Sequence, residues 1–185
     1  MLFRSDRSPL ERAYHDRVWG VPLHDEQGLF GMLCLEGMQA GLSWSTILFK
    51  MGALRTAFDD FDPLIVAEYD ERKIAELMET EGIIRNRLKI RTMVRNARAY
   101  LRLREEHGTL DDFLWRYVDF TPLVNAWREA GEIPARTPLS ERISRDLKRL
   151  GFGFVGPTIV YAFMQATGMV NDHLVSNLAD RKSVV

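Results

Sequence analysis

The stretch Leu35-Glu36-Gly37-Met38-Gln39-Ala40-Gly41-Leu42-Ser43-Trp44 sets one carboxylate into an apolar run, then turns on glycine toward a tryptophan. Apolar residues at Leu29, Met32 and Leu33 repeat at helical spacing, so Glu36 falls on the inward face of a helix. An ionised carboxylate buried there without a partner is costly, so Glu36 either has a donor of its own or is held ready for a ligand. The plainer alternative is a core acid that caps a neighbouring backbone amide. A second stretch with chemical capacity is Lys148-Arg149-Leu150-Gly151-Phe152-Gly153-Phe154-Val155-Gly156-Pro157-Thr158. It reads as helix, glycine hairpin, helix over about residues 140 to 168. Gly151, Gly153 and Gly156 permit positive φ and close backbone approach, and the free amides around Thr158 suit an anion such as a DNA phosphate. Arg145, Lys148 and Arg149 add charge beside the hairpin, which fits contacts that position a protein on a backbone without reading sequence. Many helix pairs, however, turn on glycine for structural reasons alone.

The rest of the chain must position these two stretches. Pro9 opens a short helix carrying Tyr14, His15 and Trp19, ended by Gly20-Val21-Pro22, so three polar-tipped rings come together. Asp25 caps a helix over about residues 26 to 40, and Ser43 caps the next, whose stripe runs Trp44, Ile47, Leu48, Met51, Leu54, Phe58. Asp62-Pro63 and Asp70 start two short helices. From Arg85 to Arg104 the chain carries Arg85, Arg87, Lys89, Arg91, Arg95, Arg98, Arg102 and Arg104 with no acid among them. Ile84, Leu88, Met93, Val94, Ala97 and Leu101 supply a buried side, which predicts a long helix with a cationic outer face. That face is either a polyanion-binding surface or simply solvated. Leu110 to Val118 form another helix, residues 120 to 137 are irregular, and helices resume at Pro138. No alternating strand pattern, internal repeat or low-complexity segment stands out, so the fold class is all-α.

With 185 residues and 46% hydrophobic content, the chain can bury one sizeable core, or two helical lobes around a cleft. A formal charge of -1 gives no overall attraction for polyanions, so a nucleic-acid surface must come from uneven placement of charge. The single cysteine, Cys34, excludes an internal disulfide and fits a reducing compartment. No apolar run reaches membrane-spanning length and the N-terminus lacks the order of a signal peptide, so a cytoplasmic protein without a membrane partner is expected.

Several short motifs then join in one order. They are Ala13-Tyr14-His15-Asp16 with Trp19-Gly20-Val21-Pro22, the Leu35 to Trp44 corner, Gly82-Ile83-Ile84-Arg85, Asn96-Ala97-Arg98-Ala99-Tyr100, Gly153-Phe154-Val155-Gly156, and Phe163-Met164-Gln165-Ala166 through Val170-Asn171-Asp172-His173. Together they make the chain resemble bacterial DNA-3-methyladenine glycosylase I over almost its whole length. The resemblance implies a single domain over 1-185 with a helix-hairpin-helix glycosylase fold, and a monomer acting on double-stranded DNA. It also implies hydrolysis of the N-glycosidic bond of 3-methyladenine after base flipping, without a strand-cleaving step. In that setting Glu36 accepts hydrogen bonds from the purine's exocyclic amine and offers negative charge to a cationic base, with Tyr14 and Trp44 stacked on the ring. Trp44 as plain core is the alternative. Trp19 closes the pocket from behind. Gly41 and Leu42 present an apolar wedge to the gap left by the extruded nucleotide, unless Leu42 is an ordinary exposed turn residue. Gly151, Gly153, Gly156, Thr158, Lys148 and Arg149 hold the phosphate backbone.

This chain departs from its relatives in three places. Where the wider superfamily carries a catalytic aspartate, this sequence has Asn171, which cannot take a proton at neutral pH; Glu36, or a water it holds, is the best catalytic candidate and Asp172 its rival. The family commonly binds structural zinc through two cysteines and two histidines. His15 and His173 match, but the cysteine positions fall near Leu2 and at Asn177, so no cofactor and no zinc are expected. Glu11 stands where the family tends to place a tyrosine. Two other functions compete with repair. One is a non-catalytic helix-hairpin-helix DNA-binding module or damage sensor, and the other is a hydrolase of free nucleosides, for which Lys148 and Arg149 would have no role.

Overall fold

The structure, a computed structural model, describes residues 8–175. Nine α-helices lie among the described residues: α1 Pro9–Arg17, α2 Glu26–Gln39, α3 Trp44–Ala57, α4 Pro63–Ala67, α5 Glu71–Glu79, α6 Arg87–His107, α7 Leu110–Trp115, α8 Pro138–Arg149 and α9 Pro157–Ala166. Local chemistry sets most of their starts. Ser8, Asp25, Ser43, Asp62, Asp70, Asn86, Thr109 and Thr137 each accept a first-turn backbone amide, which is why short polar residues precede each apolar run. Helix α9 differs: Gly156 provides no side-chain cap, and Pro157 at its first turn has no amide hydrogen.

Helix α2 is apolar on all sides, and every residue from Leu29 to Met38 is buried. A helix of that kind has to be surrounded, and α2 is, with α3, α6, α7 and α9 packed around it. Its first turn is tied down by Glu26, whose carboxylate accepts from Tyr100 Oη at 2.8 Å and from the amides of Leu110 at 3.1 Å and Asp111 at 2.8 Å. Glu26 thereby caps α7 from a distance. No helix among the described residues is long and apolar enough to cross a membrane.

The structure corrects three expectations. Trp19 lies beyond α1, which ends at Arg17. On α6 the predicted faces are exchanged at one step: Leu88 is 66% exposed, whereas Lys89 is buried. Its ammonium turns inward and donates to the carbonyls of Met38 and Ala40, each at 2.6 Å, satisfying the open end of α2. Burial holds Lys89 below the usual lysine range. The irregular segment contains a two-residue parallel pairing, β1 Leu123–Val124 with β2 Val170–Asn171, which is too short to show alternation in sequence.

Beside β2, Asp172 is a buried acid fully committed to structure. Its oxygens accept from Asn125 Nδ2 (2.7 Å), Trp127 Nε1 (2.7 Å), Tyr161 Oη (2.6 Å) and Gln165 Nε2 (2.7 Å). Burial alone would raise its pKa, but the four donors outweigh that and hold the carboxyl below its ordinary value. Its stabilising contribution is therefore present above about pH 4 and is lost as the pH falls through the lower folded value. Asp172→Asn should cost roughly 2–4 kcal/mol in urea denaturation, because an amide cannot accept from all four donors. Unchanged stability in this variant would contradict the structural role.

Candidate active site

Glu36 stands on α2 one turn before its C-terminus and is 5% exposed. No hydrogen bond or ion pair reaches its carboxylate from the described residues. Burial pushes the acid up to about 8. Tyr14, also buried, is pushed up by burial and then by the Glu36 carboxylate beside it, so the two groups are neighbours. The Tyr14 hydroxyl donates to Met32 Sδ at 3.8 Å. Trp44, 3% exposed at the start of α3, places its ring centroid 5.5 Å from that of Tyr14, with the planes at 47°. Its indole Nε1 is buried and has no acceptor. Buried donors without partners are rare in folded proteins, and here one accompanies a desolvated carboxylate in a single cluster. A flat base sandwiched between two rings needs them about 7 Å apart. At 5.5 Å and tilted, Tyr14 and Trp44 touch each other, so a base enters only if they part or if it stacks on one of them.

The corner between α2 and α3 is built by glycine and lysine. Gly41 has φ of +78°, and a side chain there would meet nothing within 4 Å. The adjoining Leu42 is 39% exposed, and its amide donates to Gln39 O at 2.6 Å, so it sits at an outward tip, which suits a wedge and an ordinary turn residue alike. Lys89 fixes the same corner from below through Met38 and Ala40. Sequence reasoning missed this role because periodicity grouped Lys89 with the outward arginines. Its position directly before the buried Ile90 was the available signal.

Trp19 is drawn to the histidines. It stacks on His15 with centroids 5.6 Å apart and meets His173 edge-on at 5.0 Å, while His15 and His173 are 5.6 Å apart. Its ring contacts are with this pair rather than with Tyr14 and Trp44, which suits a structural residue behind the ring pair. His173 Nδ1 lies 2.8 Å from Asn171 Oδ1, an oxygen that also accepts from the His173 amide at 3.1 Å; His15 Nδ1 lies 3.1 Å from Asp16. Asn171 therefore orients a histidine. As a zinc donor set the cluster does not fit: it offers two imidazoles, and the chain's one thiol, Cys34, is buried within α2. No group of three or more potential ligands occurs among the described residues. The positions near Leu2 and at Asn177 lie outside them. Glu11 is buried on the same face of α1 as Tyr14 and accepts from Ser45 Oγ, next to Trp44.

The hairpin between α8 and α9 is clamped from two helices. Asn96 on α6 accepts from the Gly153 amide at 2.7 Å and donates to its carbonyl at 3.1 Å, and Ser144 on α8 donates to Val155 O at 2.6 Å. Phe154, with φ of 52°, packs against Gly37, where an added Cβ would stand 3.1 Å from its own. Gly37 adjoins Glu36, so the hairpin rests directly on the carboxylate's helix. Asn96 went unassigned in the sequence, although an amide among buried apolar neighbours signals a bound backbone. On the solvent side, a cavity of about 530 Å³ is lined by Glu141, Ser144, Arg145, Lys148, Arg149 and Pro157, gathering the predicted cations at the start of α9. A larger one of about 770 Å³, between α7 and α8, lies away from this chemistry. Neither is lined by Glu36, Tyr14 or Trp44.

The family model described as Methyladenine glycosylase matches residues 4–180. The chain belongs to that family. DNA-3-methyladenine glycosylase 1 of Escherichia coli (strain K12) is 48% identical to this glycosylase over 169 residues, 91% of this chain and 90% of that protein. A crystal structure of 3-methyladenine DNA glycosylase I matches with a TM-score of 0.89 at 45% identity, covering 92% of this chain and 93% of that one. The Staphylococcus aureus enzyme, solved to show its recognition of 3-methyladenine, gives a TM-score of 0.91 at 38% identity, with 94% and 92% covered. The all-α, helix-hairpin-helix expectation thus matches the fold of solved glycosylases.

The raised Glu36 carboxyl has a consequence for stability. The folded glycosylase binds a proton at Glu36 over a pH range in which the unfolded chain has released it, so stability falls as pH rises from about 4.5 to about 8. Glu36→Gln removes this dependence. The variant should gain on the parent by about 4 kcal/mol between about pH 5 and pH 8.5, read from urea midpoints. Parallel pH profiles would show that Glu36 is not desolvated.

Proposed function

We propose that Glu36, Tyr14 and Trp44 receive the 3-methyladenine that this base-excision glycosylase releases from double-stranded DNA, while Leu42 fills the gap and the hairpin holds the backbone. The observation that carries this reading is the cluster of a buried carboxylate raised by desolvation and a buried indole N–H without an acceptor, beside Tyr14. Methylation at N3 makes the base cationic and weakens its bond to deoxyribose, so the leaving group is activated before the protein touches it. Selection becomes the protein's main task. A neutral adenine meets an acid that is largely protonated near neutrality, whereas a cation supplies the counter-charge that lets Glu36 ionise. Binding of the lesion is then coupled to loss of the Glu36 proton, and efficiency on methylated DNA rises as the pH approaches about 8. Glu36 or a water it holds is the remaining candidate for assisting hydrolysis, since Asp172 is occupied by four donors. Such a protein would work as a cytosolic monomer.

The test is incubation with methylated genomic DNA and chromatography of the free bases. The parent should release 3-methyladenine; Glu36→Gln should lose release by a hundredfold or more while keeping salt-sensitive duplex binding. Folded parent protein that binds DNA but frees no alkylated purine would leave a damage-binding module instead. We further propose that the chain needs no structural zinc, on the ground that its donor set lacks thiolates at the two histidines. Elemental analysis should find under about a tenth of a zinc per chain, with an unfolding temperature unmoved by chelator. A stoichiometric metal would overturn that.

A further inference from the structure

Arg95 carries a charge that no described residue neutralises, and it lies where the hairpin has no side chain. A Cβ built on Gly153 would stand 1.7 Å from Arg95 Nη2 and 2.7 Å from Thr92 Cγ2. Gly153 is not among the glycines of positive φ, so what glycine provides at this position is space for the guanidinium. The neighbouring arginines of α6 are engaged within the protein. Arg91 pairs with Glu71 at 2.7 Å, Arg98 donates to Ala67 O at 2.9 Å and Tyr69 O at 3.0 Å, and Arg102 donates to Leu150 O at 3.0 Å. Arg95 is exposed and makes no hydrogen bond or ion pair among the described residues. The hairpin itself, from Leu150 to Gly156, contains no cation, and the helix after it starts without a side-chain cap.

From this juxtaposition we propose that Arg95 is the hairpin's phosphate-binding cation, a guanidinium supplied by α6 through the space over Gly153 and directed at a DNA phosphodiester. The inference rests on the reading of the hairpin as the DNA grip and adds a residue from another helix to it. A guanidinium presents a planar fork of donors suited to two phosphate oxygens, and Asn96, one residue on, already fixes the hairpin backbone against the same helix. One such contact releases about one counterion, so it is visible in the salt dependence of binding.

The experiment is fluorescence anisotropy of a short labelled duplex with the full chain at several salt concentrations. Arg95→Ala should raise Kd about three- to tenfold at ~0.1 M salt and reduce the slope of log affinity on log salt by about 0.9, with the urea midpoint unchanged. Arg95→Lys should keep the slope and part of the affinity. Gly153→Ala, whose new methyl occupies the guanidinium's place, should reproduce Arg95→Ala, and the double variant should bind no more weakly than either single one. Arg95→Ala with parental Kd and slope would overturn the proposal, as would full additivity of the two substitutions. A parent that releases 3-methyladenine while Arg95→Ala binds like it sinks this inference alone. A parent without salt-dependent duplex binding sinks the reading of the hairpin as well.

Discussion

A carboxylate enclosed in a helix that is apolar on every side is the constraint on which this structure turns. Burial raises Glu36 well above the ordinary carboxylate range, so its ionised form is costly unless a positive charge lies beside it. The nearest buried ammonium, Lys89, is committed to the carbonyls of Met38 and Ala40. It completes the end of α2 without neutralising Glu36. The helix is thus stabilised at its terminus while the acid one turn earlier keeps its desolvation cost. Such local destabilisation persists where the surrounding core fixes the geometry, and α3, α6, α7 and α9 do so here.

The hairpin and the carboxylate are not independent modules. Phe154 in the left-handed region packs on Gly37, and Asn96 pairs both polar groups of Gly153. Any force on the hairpin backbone is therefore passed to the helix carrying Glu36 through a contact with no room to slide. Lys89, a little under two turns before Asn96 on α6, holds the other end of the same segment. Helix α6 accordingly works as a rigid bar: its inward polar residues register the corner against the hairpin, and three of its arginines, Arg91, Arg98 and Arg102, tie it to neighbouring segments. Part of the basic stripe that suggested a polyanion surface is engaged by the protein itself, at Arg91, Arg98 and Arg102.

What was legible in the sequence follows from the range of each interaction. Helix starts were legible because Asp25, Ser43, Asp62 and Asp70 cap amides only two or three residues away. The buried position of Glu36 was legible from the spacing of Leu29, Met32 and Leu33. The inward turn of Lys89 was not, since its acceptors lie 51 and 49 residues back in the chain. Nor was the commitment of Asp172, whose donors Asn125 and Trp127 are brought to it by a two-residue strand pairing. Periodicity reports which face a residue occupies, whereas long-range hydrogen bonds decide what a polar residue on that face does.

The direction in which charge moves during hydrolysis limits what Glu36 can contribute in the function proposed. A base methylated at N3 enters as a cation, and breaking the glycosidic bond returns electrons to the ring, so positive charge leaves the base and develops on the sugar. An anion placed against the base stabilises the bound lesion more than the transition state, and uniform or ground-state attraction does not raise the rate of the chemical step. In that reading the carboxylate's direct contact with the base serves discrimination at entry, and any help to hydrolysis comes through a water it holds, which is compatible with Asn171 standing where an acid would otherwise serve the sugar. The rings follow the same logic. Tyr14 and Trp44 are in contact, so admitting a base means separating or bypassing them, and a cation recovers more of that cost from a ring face than a neutral purine does. In the function proposed, a single positive charge would thus both weaken the bond and offset the cost of entering the site.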